Sequence, residues 1–134
     1  MVRLALHDRN LRVSDCEVRR AGESFAIDTV RELASEIPAE RYTWIIGSDA
    51  FAGIESWREI ETLAKLVEFL VIARPGHNLT AIPSGINFES VEVAALDISA
   101  TRIRNEIANG GAWQDLVPPE VAAYIEREQI YAAA

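Results

Sequence analysis

Two uninterrupted apolar runs, residues 42–46 (YTWII) and 69–73 (FLVIA), constrain this chain more than any other feature of it. Aromatic and β-branched residues in succession, with no polar residue at every second position, make strands that are covered on both faces. Between the two runs, Trp57, Ile60, Leu63, Ala64 and Val67 recur on one helical face. A strand, a helix and a second strand in that order predict a parallel pair joined by a crossover, and hence an α/β fold with a mainly parallel sheet. Other segments extend the alternation. After Ser24, the residues Phe25, Ile27, Val30, Leu33, Ala34 and Ile37 keep helical spacing, with Asp28 and Glu32 early and Pro38 as the stop. Residues 11–18 and 91–96 (VEVAAL) are expected as two more strands. A helix is expected from Ser99 to the Asn109-Gly110-Gly111 stop, and a last one from about Pro119 through Val121, Tyr124 and Ile125. Residues 1–6 read as the tail of a helix with no cap in front.

At 134 residues, 49% hydrophobic and 25% charged, the chain has the size and balance of a single globular domain over residues 1–134. No apolar run approaches the roughly 18 residues that cross a bilayer, and the start MVRLALHDR lacks a signal-peptide pattern. The single cysteine, Cys16, excludes an internal disulfide and fits a reducing cytoplasm. A net charge of -8 and a pI of about 4.7 argue against nucleic acid or an anionic membrane as partner.

Ligands of parallel sheets sit beyond the carboxyl ends of the strands. Three polar turns fall at such ends, Gly47-Ser48-Asp49, Arg74-Pro75-Gly76 and Ser99-Ala100-Thr101, and they are expected to converge on one pocket. The third opens the segment ISATRIR (98–104), where Ser99 is a natural N-cap and the first turn holds Arg102 and no carboxylate. A helix start carries roughly half a positive charge and normally attracts acids, so arginines there suit an external anion such as a phosphate. An ordinary cap followed by solvated arginines fits the same residues. Arg104 can reach back along the helix start, whereas Arg102 can equally face solvent. Gly47 allows close backbone approach to a nucleotide, with Asp49 accepting from ribose hydroxyls; the plain alternative is a strand-to-helix turn capped by Asp49. Trp57 is either a stacking surface or a core tryptophan, and Arg74 either a phosphate contact or a surface residue. His7 and His77 have no partner at metal-ligand or nucleophile–base spacing, so no protein metal site is expected. Neither glycine-rich nucleotide loop, G-x-x-x-x-G-K-[ST] or G-x-G-x-x-G, occurs.

Over nearly its whole length the chain resembles the bacterial nicotinate-nucleotide adenylyltransferases, nucleotidyltransferases with a Rossmann-like fold. The resemblance is carried by ESFAIDT (23–29), IIGSDAF (45–51), Trp57, ARPG (73–76), ISATRIR and the ending LVPPEVAAYIEREQIY (116–131). It implies adenylyl transfer from ATP, with Mg²⁺, to nicotinate mononucleotide, giving nicotinate adenine dinucleotide and pyrophosphate in NAD biosynthesis. An ionised phosphate needs no general base, so positioning and charge stabilisation carry such a reaction. By similarity, Ser99, Thr101 and Arg104 hold the ATP phosphates, and Gly47 and Asp49 line the adenosine ribose. Trp57 stacks on the nicotinate ring, with the backbone at Ala26 near its carboxylate.

Three departures stand out. Ala26 occupies a position where the family often carries Thr, which leaves backbone donation in place of a side-chain contact. Arg58 follows Trp57 and favours an anionic carboxylate. The family's opening G-x-F-D-P-x-H-x-G-H segment, whose histidines face the transferring phosphate, does not occur here, so no catalytic residue is assigned. The fold is therefore expected to be N-terminally incomplete, the C-terminal part of the family fold, with slow turnover. The YTWII strand is expected to present an unpaired edge through which the chain self-associates. Two alternatives stay open: an adenylyltransferase acting on nicotinamide mononucleotide or phosphopantetheine, and a non-catalytic nucleotide-binding protein.

Overall fold

A computed structural model describes residues 1–6, 10–73, 85–94 and 98–131. The chain divides into two compact units, Asp15–Ala95 and Met1–Ser14 with Leu96–Ala134. In the first, α2 (Cys16–Arg19) and α3 (Ala26–Glu36) lead into β1 (Thr43–Gly47), α4 (Ser48–Phe51), α5 (Ile60–Leu66), β2 (Glu68–Ala73) and β3 (Phe88–Glu92). The three strands form one parallel sheet in the order β1-β2-β3. The predicted parallel α/β arrangement is thus present.

Register decides which side chains reach the core. Trp44 lies opposite Phe69 and Phe69 opposite Phe88, while Ile46 lies opposite Val71, so these residues share one sheet face. They pack with Ile27 and Val30 of α3, Phe51, Ile54, and Leu63 and Val67 at α5. Phe51 holds the cluster together, with its ring 4.7 Å from Phe88 and 6.1 Å from Phe69. Ile45, opposite Leu70, lies on the other face and is 65% exposed. The expectation of a strand covered on both faces is corrected for β1: Ile46 is its one buried residue. Among the described strands β1 also has a neighbour on one side alone.

Two strand assignments change. Residues 11–18 form no strand: Asp15 and Arg19 join across one helical turn at 2.9 Å, and α2 buries Cys16 while leaving Val18 88% exposed. One buried residue in that turn supplies no alternating face for a sheet. Among the described residues the last strand is β3, residues 88–92, in place of 91–96, because the Phe88 ring anchors it on Phe51 and opposite Phe69. Pairing reaches one residue further through the Val93 N–H to the Ala73 carbonyl, 3.3 Å. Leu96 lies outside the described residues.

The second unit holds α1 (Val2–Ala5), α6 (Ala100–Ala108) and α7 (Pro119–Arg127). Its core is Trp113, Val121, Ala122 and Ile125, with Ile103 and Ile107 of α6 and Leu4 of α1 packed against it. The predicted stop of α6 is formed: Gly110, at φ +70°, lets its own N–H reach Ile107 and the Gly111 N–H reach Glu106, at 3.2 and 2.8 Å.

Candidate functional site

A cleft of about 420 Å³ opens beside the start of α3, lined by Glu17, Ser24, Phe25, Ala26, Trp44, Ser56, Trp57 and Arg58. Three residues predicted to meet one ligand group, Ala26, Trp57 and Arg58, therefore share a cavity. The local chain explains why. Ile54 is fully buried and pins the short 3-10 turn 54–56, after which Trp57 turns out of the helical run and precedes α5. Trp57 stands edge-on to Trp44, with centroids 6.3 Å apart and planes at 85°, so two indoles form one wall. Such a pair contributes about 0.5–1.5 kcal/mol beyond area burial and fixes both rings.

The start of α3 and Arg58 bring hydrogen-bond donors to the same cleft. α3 starts at Phe25, which provides no side-chain cap, and the N–H groups of Ala26 and Ile27 find no acceptor among the described residues. The Arg58 guanidinium lies 4.8 Å above the Phe25 ring and 3.9 Å from Asp28. At an exposed site a contact of this cation–π kind is worth about 0.5–1 kcal/mol. Unmet N–H donors, a helix start and a guanidinium are the groups that bind a carboxylate, and indole walls suit a planar ring. Glu17 is turned aside: its carboxylate accepts from the Thr29 hydroxyl at 2.6 Å, and Thr29 also receives Arg20 at 3.2 Å. Arg20 continues to Glu32 at 2.7 Å, which holds its guanidinium in the charged form.

Gly47 caps α4, and Asp49 sits in the first turn of that helix instead of capping it. Its carboxylate folds back over Gly47, and a Cβ there would come within 2.7 Å of the Asp49 Oδ1. Glycine at this position lets an exposed carboxylate lie against bare backbone.

In the other unit Ser99 caps α6 as expected, its Oγ accepting from the Arg102 N–H at 3.1 Å. One of the helix-start donors is thereby spent on Ser99. The Ala100 and Thr101 N–H groups have no acceptor among the described residues. Arg104 donates to the Thr101 hydroxyl at 3.4 Å, so the two residues predicted to act together are neighbours on an exposed helix face. The Arg74-Pro75-Gly76 turn, His7 and His77 lie outside the described residues.

Five cleft residues carried no functional assignment from sequence: Glu17, Ser24, Phe25, Trp44 and Ser56. Trp44 was concealed by the strand pattern. Its signal is parity, since it shares the inward face with Ile46 but stands nearer the strand's start. Among the described residues no group of three or more His, Cys, Asp or Glu is placed to hold a metal ion, and no helix is long and apolar enough to cross a membrane.

No family model matches the chain. It is 38% identical over 120 residues to a probable nicotinate-nucleotide adenylyltransferase of Tropheryma whipplei, covering 89% of this chain and 63% of that protein. It is 35% identical over 133 residues to the protein so described in Exiguobacterium sibiricum, covering 98% and 70%. With the Leifsonia xyli protein so described it shares 41% over 122 residues, covering 89% and 60%. The chain thus spans 60 to 70% of the length of these relatives. Among solved structures, the Plasmodium falciparum nicotinic acid mononucleotide adenylyltransferase complexed with NaAD matches with a TM-score of 0.60 at 20% identity, over 83% of this chain and 58% of that one. That likeness shows the fold, the Rossmann-like nucleotidyltransferase fold.

Proposed function

This chain belongs to the nicotinate-nucleotide adenylyltransferase family, and from that membership we propose that its residues serve adenylyl transfer from ATP to nicotinate mononucleotide. In the reaction a phosphate oxygen of the mononucleotide forms a bond to the α-phosphorus of ATP. The bond from that phosphorus to the bridging oxygen breaks, and pyrophosphate leaves. Mg²⁺ enters with ATP as part of the substrate and offsets charge on the phosphates. The protein's contribution is placement.

The observation that carries this reading is the cleft: two indoles, the uncapped start of α3 and Arg58 face one cavity. Trp57 stacks on the pyridine ring, while the Ala26 N–H and Arg58 take its carboxylate. Ser99, Thr101 and Arg104 hold ATP phosphates, with Gly47 and Asp49 against the adenosine ribose. Arg74 is proposed as a further phosphate contact from its place in the sequence, directly before Pro75-Gly76. Indole fluorescence tests the cleft. Nicotinate mononucleotide is expected to quench Trp44 and Trp57 saturably, and absence of quenching overturns the assignment. Pyrophosphate release with ATP, Mg²⁺ and nicotinate mononucleotide tests the reaction, and release with phosphopantetheine in place of the mononucleotide would redirect it.

The cytoplasm, where ATP and the mononucleotide occur, is the compartment this reading requires. We further propose that copies of the chain self-associate at β1, which among the described strands has a neighbour on one side alone and whose Ile45 is exposed on the outer sheet face. Sedimentation should show association that rises with concentration and falls in Ile45→Lys.

A further inference from the structure

Arg58 differs from the other arginines of its unit that have carboxylate partners. Arg20, Arg31 and Arg19 each meet a carboxylate at 2.7 to 2.9 Å. Arg41 lies 3.6 Å from Glu68 away from the cleft. Arg58 approaches Asp28 no closer than 3.9 Å and donates no hydrogen bond among the described residues. Its guanidinium is held chiefly by the Phe25 ring, at the rim of the cleft. All of its fork of N–H donors is still available, and a carboxylate is the partner that fork matches.

Asp28 does not depend on Arg58. It lies in the first turn of α3, where the helix dipole favours an acid, and its charge also acts on Arg20 and Arg31. The other nearby acids take no hydrogen bond from Arg58. Glu59, the next residue, feels the Arg58 charge but accepts its two hydrogen bonds, of 3.4 and 2.7 Å, from Arg31, and Glu17 is held by Thr29. A guanidinium parked on an aromatic ring, beside an acid that keeps other cations, can be transferred to a ligand without stranding a charge.

We propose that Arg58 selects an acidic over an amidated pyridine substrate by carboxylate exchange. Arg58 rests on Phe25 beside Asp28, and the substrate carboxylate takes the guanidinium from Asp28. Arg58 is then the specificity determinant, Phe25 its platform, and Asp28 the counter-ion that the ligand displaces. An amide has no charge with which to compete for the guanidinium. The inference rests on the cleft being the pyridine site.

Calorimetric titration with nicotinate mononucleotide and with nicotinamide mononucleotide tests it in the full chain. Wild type is expected to bind the acid at least about tenfold tighter, and Arg58→Gln to lose most of that preference by weakening the acid alone. Arg58→Lys keeps the charge without the fork and should recover part of it. Asp28→Asn gives the telling sign. Displacement of a counter-ion predicts acid binding a few-fold tighter with amide binding unchanged, whereas a merely structural Asp28 predicts that both weaken. Weakening of both ligands by Asp28→Asn, or an unchanged acid-to-amide ratio in Arg58→Gln with wild-type helix content, overturns the exchange. If wild type binds neither mononucleotide, the assignment of the cleft fails and the exchange fails with it.

Discussion

The starts of α3 and α6 both offer unmet N–H groups, and they are built differently. α3 begins at Phe25 with no side-chain cap, but its first two turns bury Thr29 and place Ile27 and Val30 in a core shared with the sheet. α6 begins at Ser99 with a proper cap, yet none of its residues is fully buried. The first start is held by packing, and its neighbours Trp44 and Trp57 are fixed by the same core. The second is held by its own cap and turn chemistry, and it presents hydroxyls and guanidinium groups to water. A site of the first kind selects by shape as well as charge. One of the second kind suits a flexible polyanion, for which direction matters less than the number of donors.

That contrast can be broken by experiment. Leu63→Ala, at a fully buried position behind the cleft, should cost about 2–5 kcal/mol of stability and lower the thermal midpoint. Ile103→Ala, partly buried on α6, should cost about half as much. Equal losses would remove the distinction between a packed and an exposed helix start.

Ligand binding should separate the two starts next. Trp57→Ala should weaken nicotinate mononucleotide about tenfold and leave ATP unchanged, as measured by titration. Arg104→Ala should weaken ATP by about tenfold or more, at about 1.5–3 kcal/mol for hydrogen bonds to charged groups, and leave the mononucleotide unchanged. If each substitution weakened both ligands, the assignment of separate roles would be wrong.

A smaller effect is expected from the cap itself. Ser99→Ala should cost about 1 kcal/mol and speed amide exchange in the first turn of α6. Smaller still is a pH effect on the packed side. The Arg31 hydrogen bonds hold the Glu59 carboxyl below its ordinary value of 4.5. Its stabilising contribution is therefore complete above that value and is lost as pH falls through the lowered one. In urea titrations wild type should exceed Glu59→Gln at pH 7, and the gap should close in acid. A gap independent of pH would mean that the pair's charge contributes nothing.

The sequence made the alternation of strands and helices legible because hydrophobic periodicity is a local property. YTWII and FLVIA pair in parallel, and the Asn109-Gly110-Gly111 stop and the Ser99 cap form as their residues require. It misled at residues 11–18, where Leu11, Val13 and Val18 resemble a strand but the Asp15–Arg19 spacing and a single buried Cys16 make a helical turn. It also misplaced the last strand, because the Phe88 ring that anchors it precedes the more β-like VEV by several residues. Trp57 could not be assigned to core or cleft from spacing, since both uses place it on the same face as Ile60 and Leu63.

By itself, then, the sequence determined the α/β class, the family and the chemistry available at each turn, because residue types and their spacing encode these directly. The tertiary structure alone decided that Trp44 faces Trp57, that Arg58 rests on Phe25 beside Asp28, and that Ile45 stays exposed. Those facts depend on strand register and on contacts between residues far apart in the chain. A one-residue change of register would reverse every face of β1.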